Sequence, residues 1–304
     1  MTTSYHNPVL LTECIDALDI KPGGIYIDVT FGGGGHSRAI LERLGAAPGK
    51  LLAFDQDADA RANADAINDP RMTFIPANFR NLKRFLRLYG VKQVDGILAD
   101  LGISSHQIDT PERGFATRFD ADLDMRMDQQ AAVSAKQVLN SGTEQELHRI
   151  LGMYGEITNA RTVAMAIVSA RANRPLQTIN DLKTALQRFA PRGKENKFFA
   201  QVFQAIRIEV NEELTILKEF LAQTPEVLKP GGRLVVMSYH SLEDRLVKNY
   251  MNKGKFHGEV DKDLYGNELK PLQAITRKPI EASDEEVSRN PRARSAKLRV
   301  AEKQ

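Results

Sequence analysis

Along the first hundred residues, apolar positions switch between two periods. Ile25 to Phe31 (IYIDVTF) is a short β-branched and aromatic run behind the Pro22-Gly23-Gly24 turn, which predicts a strand. His36 to Gly45 (HSRAILERLG) carries apolar residues at helical spacing and stops at a glycine. The pair then recurs. LLAFDQD (Leu51 to Asp57) precedes the alanine-rich DADARANADAIND, MTFIPANF precedes NLKRFLRLYG, and VDGILADLG is a fourth strand. Successive β-α units predict a parallel, doubly wound α/β sheet.

From about Pro111 to Ile206 the strand pattern stops. Thr143-Glu144-Gln145-Glu146 is a capping box, NARTVAMAIVSARAN is helical, and Thr178 leads INDLKTALQRFA. FFAQVFQAIRIEVNEELTILKEFLAQ reads as one long amphipathic run. KPGGRLVVMSYHSLEDRLVKNYM then resumes the α/β pattern: a turn, a buried strand, and a helix with Ser241 as its N-cap and Glu243 and Asp244 in its first turn. Lys297 to Glu302 alternates as a final strand. The expected organisation is a discontinuous α/β domain over 1–110 and 207–304, interrupted by a helical domain over 111–206.

Composition changes this picture little. The 304 residues are 42% hydrophobic and 27% charged, as in an ordinary soluble globular chain. The net charge of +3 is too small to announce nucleic acid, so any basic surface has to come from local clustering. The single cysteine, Cys14, rules out a disulfide within the chain and argues against a cysteine zinc site. The first residues lack a signal peptide's basic and apolar regions, and no apolar run reaches membrane-spanning length. A cytoplasmic protein without membrane association is expected.

The candidate chemistry starts in DVTFGGGGHS, Asp28 to Ser37. Four consecutive glycines between a strand and a helix let a ligand approach the main chain at the positive end of the helix dipole. A Walker loop would need Gly-Lys-Ser/Thr, and here His36-Ser37 follows Gly35. A dinucleotide fold finds its acidic residue in Asp55, 20 positions after Gly35. Asp28, at the end of the first strand, would repel a pyrophosphate but suits a ligand carrying an ammonium and a sulfonium, namely S-adenosylmethionine. Gly33 and its neighbours then accommodate the methionine portion, Asp55 the ribose, and Asn78-Phe79 the adenine. Phe79 fits core packing equally well. Asp100 ends the fourth strand, so Asp28, Asp55 and Asp100 converge on one sheet edge.

DADLDMRMD (Asp120 to Asp128) spaces its aspartates like a calcium loop, but Met125 and Ala131 stand where glycine and glutamate are needed. No metal is expected; Arg113, Arg118 and Arg126 suggest internal ion pairing instead. His6, His106, His148 and His257 show no ligand spacing, and His148 and His257 read as surface or packing residues.

These residues together resemble a known family. HNPVLL, GGHS, LADLGISSHQID, ERGF, DMRMD, FQAIRIEVNEEL, GGRLVVMSYHSLEDRLVK and NPRARSAKLR, in that order from His6 to Arg299, are similar to the bacterial small-subunit rRNA cytosine-N4 methyltransferases of the MraW type. The resemblance implies a class I, Rossmann-like S-adenosylmethionine-dependent fold with an inserted all-α domain. It implies methylation of the exocyclic amine of one decoding-site cytidine in 16S rRNA, on the free RNA or within the small ribosomal subunit. Carried over by position, cofactor contacts fall on Gly34, Gly35, His36, Asp55, Phe79, Asp100 and Gln107, and His6 is placed at the cofactor mouth. The chain departs from the family pattern at Gln201, where arginine is usual, at Ile157, where glutamate is usual, and at Tyr239, where phenylalanine is usual.

N4 of cytosine is a poor nucleophile because its lone pair is delocalised, so the acceptor site needs hydrogen-bond acceptors on the amine. Asp100, Ser104, Ser105, Tyr239 and His240 are candidates, with Tyr239 suited to stacking on a flipped base and His240 to taking the proton. Ser241 suits a helix cap. In the basic tail, Arg292 and Arg294 are candidates for RNA phosphate contact from a sheet-edge strand. The amphipathic helices of the insertion suit a dimer surface as well as an RNA site. Two other readings are a non-catalytic RNA-binding assembly factor and an NAD-dependent oxidoreductase, the latter opposed by Asp28.

Overall fold

The computed structural model describes residues 8–304, so His6 lies outside the described residues. The chain forms two compact units, Met1–Gly102 with Leu214–Gln304, and Ile103–Glu213. The first begins with α1 (Leu11–Ala17), β1 (Ile25–Asp28), α2 (Gly35–Leu44), β2 (Lys50–Asp55), α3 (Ala60–Ile67), β3 (Met72–Pro76), α4 (Leu82–Leu88) and β4 (Val94–Asp100). The second holds α5 (Ser105–Asp109), α6 (Ala135–Ser141), α7 (Glu144–Met153), α8 (Ala160–Asn173), α9 (Ile179–Leu186) and α10 (Glu195–Val210). The chain returns through α11 (Glu213–Val227) to β5 (Leu228–Ser238), α12 (Ser241–Lys253), β6 (Leu272–Ala274), α13 (Asp284–Arg289) and β7 (Lys297–Lys303).

Among the described residues, seven strands form one sheet, ordered β3-β2-β1-β4-β5-β7-β6. The first five are parallel, and β7 runs antiparallel to both its neighbours. Strand β1 is apolar on both faces, as a strand covered by helices on both sides must be. Ile27 packs with Phe54, Ile97 and Phe220 on one side, and Tyr26 with Ile40, Leu51 and Val235 on the other. The final strand is not at the sheet edge as expected. The three-residue β6 pairs with Ala301 and its neighbours and covers it, which leaves a short edge at that end of the sheet.

The second unit packs around its own apolar cluster, including Leu139, Ile150, Val163, Ile167, Leu182 and Phe203. Its helices start where capping chemistry predicts: Thr143 and Thr178 each accept a hydrogen bond from a backbone N–H in the first turn. The amphipathic run expected to be continuous breaks at Asn211-Glu212, where Glu212 takes a φ of 49°. Asn211 stands at the break. Its amide donates to the Met125 carbonyl at 2.7 Å and its oxygen accepts from the Met127 N–H at 2.7 Å, tying the aspartate-rich loop to the end of α10. In that loop Arg126 pairs with Asp124 at 2.7 Å, Arg118 with Asp109 at 2.6 Å, and Arg113 donates to the carbonyls of Arg126 and Met127. The departures from the family pattern are absorbed locally: Gln201 donates to the Gly155 carbonyl at 2.9 Å, and Ile157 is buried in the cluster. Among the described residues, no helix is long and apolar enough to cross a membrane.

Candidate active site

Strand order reverses between β1 and β4, the switch point at which open α/β sheets bind ligands. Asp28, Asp55 and Asp100 end β1, β2 and β4 at the carboxyl edge of the sheet, as their strand-end positions predict. Their roles in the structure differ.

Asp28 is 1% exposed. It points into the glycine turn and is taken up there, accepting from the Thr30 N–H at 3.1 Å and the Ser37 hydroxyl at 2.7 Å. Burial pushes its carboxyl upward in pKa. A ligand therefore meets the field of Asp28 through the ordered turn.

The turn passes Gly32 at φ 50° and Gly34 at φ 75°, conformations that side chains rarely adopt. Gly33 is half-buried between them. Part of the reason for glycine here is internal. A Cβ on Gly35 would stand 2.2 Å from the Pro8 ring, and one on Gly34 would stand 2.8 Å from the Phe31 ring. Gly35→Ala is thus expected to displace the segment around Pro8 and destabilise the protein by about 1–3 kcal/mol, measured as a shift in the urea midpoint without any ligand. An unchanged midpoint would mean that Pro8 yields freely. Helix α2 starts at Gly35, and its N-cap Gly34 has no side chain to accept from the first-turn N–H groups, which suits an anionic ligand group.

Asp55 is half-buried and binds the turn from the side. Its two oxygens accept the N–H groups of Gly32 at 2.7 Å and Asp57 at 2.8 Å. Each keeps a further lone pair. Burial pushes its pKa to about 6 against the lowering effect of these bonds. Gln56 follows it, accepting from the Asn78 amide at 2.7 Å. Asn78 caps the turn that begins at Phe79, and the Phe79 ring meets Phe220 edge to face at 5.2 Å. Phe79 is thus half-buried against the core.

Asp100 joins the other side. Its N–H donates to the Thr30 hydroxyl at 2.6 Å, and its Oδ1 accepts from the Tyr239 hydroxyl at 2.8 Å. Its Oδ2 lies 3.8 Å from His36 Nδ1. The carboxyl is pushed to about 6, by burial first, with Asp28 and Glu243 adding to the rise and His36 and Tyr239 opposing it. Thr30 and Ser37, which tie this network together, carried no recognisable signal in the sequence; small hydroxyl residues in a turn acquire meaning only from what stands opposite.

The family model that matches is the MraW methylase family, over residues 3–304. The chain belongs to this family. Ribosomal RNA small subunit methyltransferase H of Cytophaga hutchinsonii is 60% identical over 300 residues, covering 99% of this chain and 100% of that protein. The proteins of the same name from Flavobacterium johnsoniae and Christiangramia forsetii are 59% identical over 302 residues and 58% over 299. They cover 99% and 98% of this chain, and 99% and 98% of their own lengths. The sheet of this MraW-family chain is a mostly parallel α/β sheet with helices on both faces.

Gln107 and Ser104 belong to the second unit, where they form the capping box of α5: the Gln107 N–H donates to Ser104 Oγ at 3.2 Å and its side chain accepts from the Ser104 N–H at 3.0 Å. The N-cap of α12 is His240, not Ser241. His240 has the extended backbone a cap requires, its Nδ1 faces the Glu243 N–H at 3.5 Å, and Glu243 returns the bond to the Tyr239 N–H at 2.9 Å. His106, His148 and His257 are exposed. The basic tail is not one surface. Arg299 is buried against Asp244, Arg289 pairs with Glu285, and Arg294 is exposed while Arg292 is half-buried.

Proposed function

We propose that this chain transfers a methyl group from S-adenosylmethionine to N4 of a decoding-region cytidine in 16S rRNA, position 1402 in the usual numbering. The observation that carries the reading is a ring of carboxylates at the switch point beside an uncapped helix start, in a chain of a methylase family. The relatives' name supplies the small-subunit rRNA as acceptor. The residues fit the donor. The first-turn N–H groups of α2 suit its carboxylate, the half-buried Asp100 its ammonium, the free lone pairs of Asp55 its ribose hydroxyls, and the half-buried ring of Phe79 its adenine. Bound there, the donor supplies an electrophilic methyl group. The carboxylates are the feature a pyrophosphate would not tolerate, which sets NAD aside.

The test is methyl transfer from labelled S-adenosylmethionine to small subunits from a strain lacking the enzyme, followed by nuclease digestion. N4-methylcytidine is the expected product. Label in another nucleoside overturns the specificity, and binding of subunits without transfer favours the assembly-factor reading.

Among the tail candidates, exposed Arg294 is the better placed for a phosphate. Arg294→Glu is expected to weaken RNA binding several-fold and to lower the slope of log K against log salt by about one. A filter-binding salt titration measures it; an unchanged slope removes Arg294 from the interface.

A further inference from the structure

The proposed function uses Asp100 but does not account for Tyr239, which stands where the family pattern has phenylalanine. Its ring is half-buried against the cluster that includes Cys14, Leu98 and Met237, and its hydroxyl projects onto Asp100 Oδ1 at 2.8 Å. The phenol is held well above its ordinary pKa, by burial first and then by Asp100, so it remains a donor at neutral pH. On the other side, His36 Nε2 lies 3.2 Å from the Val9 carbonyl. A carbonyl only accepts, so that nitrogen carries the hydrogen and Nδ1 faces Asp100 Oδ2. The carboxylate is thereby gripped at one oxygen by an obligate donor, while the other stays open.

We propose that Tyr239 is a positioning residue: its hydroxyl fixes Oδ1 of Asp100 and holds Oδ2 turned out to receive the cationic end of the methyl donor. This rests on the assignment of Asp100 to that donor. Among the described residues, the other charged or titratable groups facing Asp100 leave this task to Tyr239. Asp28 on β1 and Glu243 on α12 repel the carboxylate, Cys14 on α1 is a buried thiol, and His36 on α2 lies 3.8 Å away.

The consequence is a pH dependence of donor binding. A cation binds the ionised carboxylate, so affinity falls as pH drops through the free protein's titration near 6. Losing the tyrosine hydroxyl removes a bond that favours ionisation, so the fall begins at higher pH.

The experiment is calorimetry of S-adenosylmethionine binding from pH 5 to 8 to the full chain, wild type and Tyr239→Phe, each repeated with Asp100→Asn. Phenylalanine keeps the ring and its packing, so the fold is preserved. The pH at which affinity begins to fall is expected to rise by about one unit in Tyr239→Phe. In the Asp100→Asn background the tyrosine substitution is expected to have no such effect, although Asp55 still titrates there. An unmoved break in Tyr239→Phe, or an equal shift in both backgrounds, overturns the proposal. The outcome is separable from that of the proposed function. Donor binding with this pH signature but no transfer to RNA leaves the role of Tyr239 standing and removes the reaction. Transfer to cytidine with a wild-type pH profile in Tyr239→Phe does the reverse.

Discussion

Asp55→Ala is expected to lower affinity for S-adenosylmethionine by about a thousandfold. The carboxylate offers one free lone pair from each oxygen, on a group already oriented by the Gly32 and Asp57 N–H groups. Charge-assisted hydrogen bonds to a ribose diol contribute about 1.5–3 kcal/mol each, and 1.4 kcal/mol is a factor of ten. Two such bonds correspond to about two to four orders of magnitude. The substitution also deprives the Gly32 N–H of its acceptor, so the turn itself loosens. Asp55→Asn separates these contributions. It keeps the volume but must aim its NH₂ at one of two backbone donors, and it is expected to bind far more weakly than wild type. Calorimetry reads both. A loss of less than tenfold for Asp55→Ala would remove the ribose from this carboxylate.

The second large effect concerns stability, far from any ligand. Arg299 on β7 and Asp244 on α12 form a buried bidentate pair, with contacts of 2.6 and 3.1 Å. Their exposures are 6% and 9%. Removing one partner leaves a desolvated charge, so Asp244→Ala and Arg299→Ala are each expected to cost about 3–5 kcal/mol in urea unfolding. Replacing both with apolar residues of similar volume, Asp244→Leu with Arg299→Met, is expected to recover most of that loss, because the attraction of a buried pair largely offsets its desolvation. Arg289→Ala, in an exposed pair with Glu285, is the control and is expected to leave the midpoint unchanged. Loss from Arg299→Ala no greater than from Arg289→Ala would show that water reaches the pair.

These two pairs mark the boundary of what could be read ahead. Arg289 and Arg299 are the same residue type in one basic run, and nothing local separates them. Arg299 is internal because β7 lies between β5 and β6, a pairing made across the chain. Placing β7 at the sheet edge is the error that follows from reading the run locally. His240 and Ser241 repeat it on a small scale. Serine is the stronger capping residue by type, but the strand ends at Ser238 in a register with Lys297 that places the histidine at the turn. Capping boxes at Thr143 and Thr178 were legible because both partners lie within four residues. The tie from Asn211 to the loop at Met125 was not, because its partners are some eighty-six positions apart.

Sequence alone determined the periodic elements, the parallel sheet and the three strand-end aspartates. Period, turn chemistry and strand polarity act over a few residues, and a parallel sheet puts every strand's carboxyl end on one side. Tertiary structure alone decided what each carboxylate does: Asp28 spent on ordering the turn, Asp55 and Asp100 left with oxygens to offer. That division depends on which donors stand opposite, Ser37 for Asp28 and Tyr239 for Asp100, and on how far burial raises the cost of an unpaired charge.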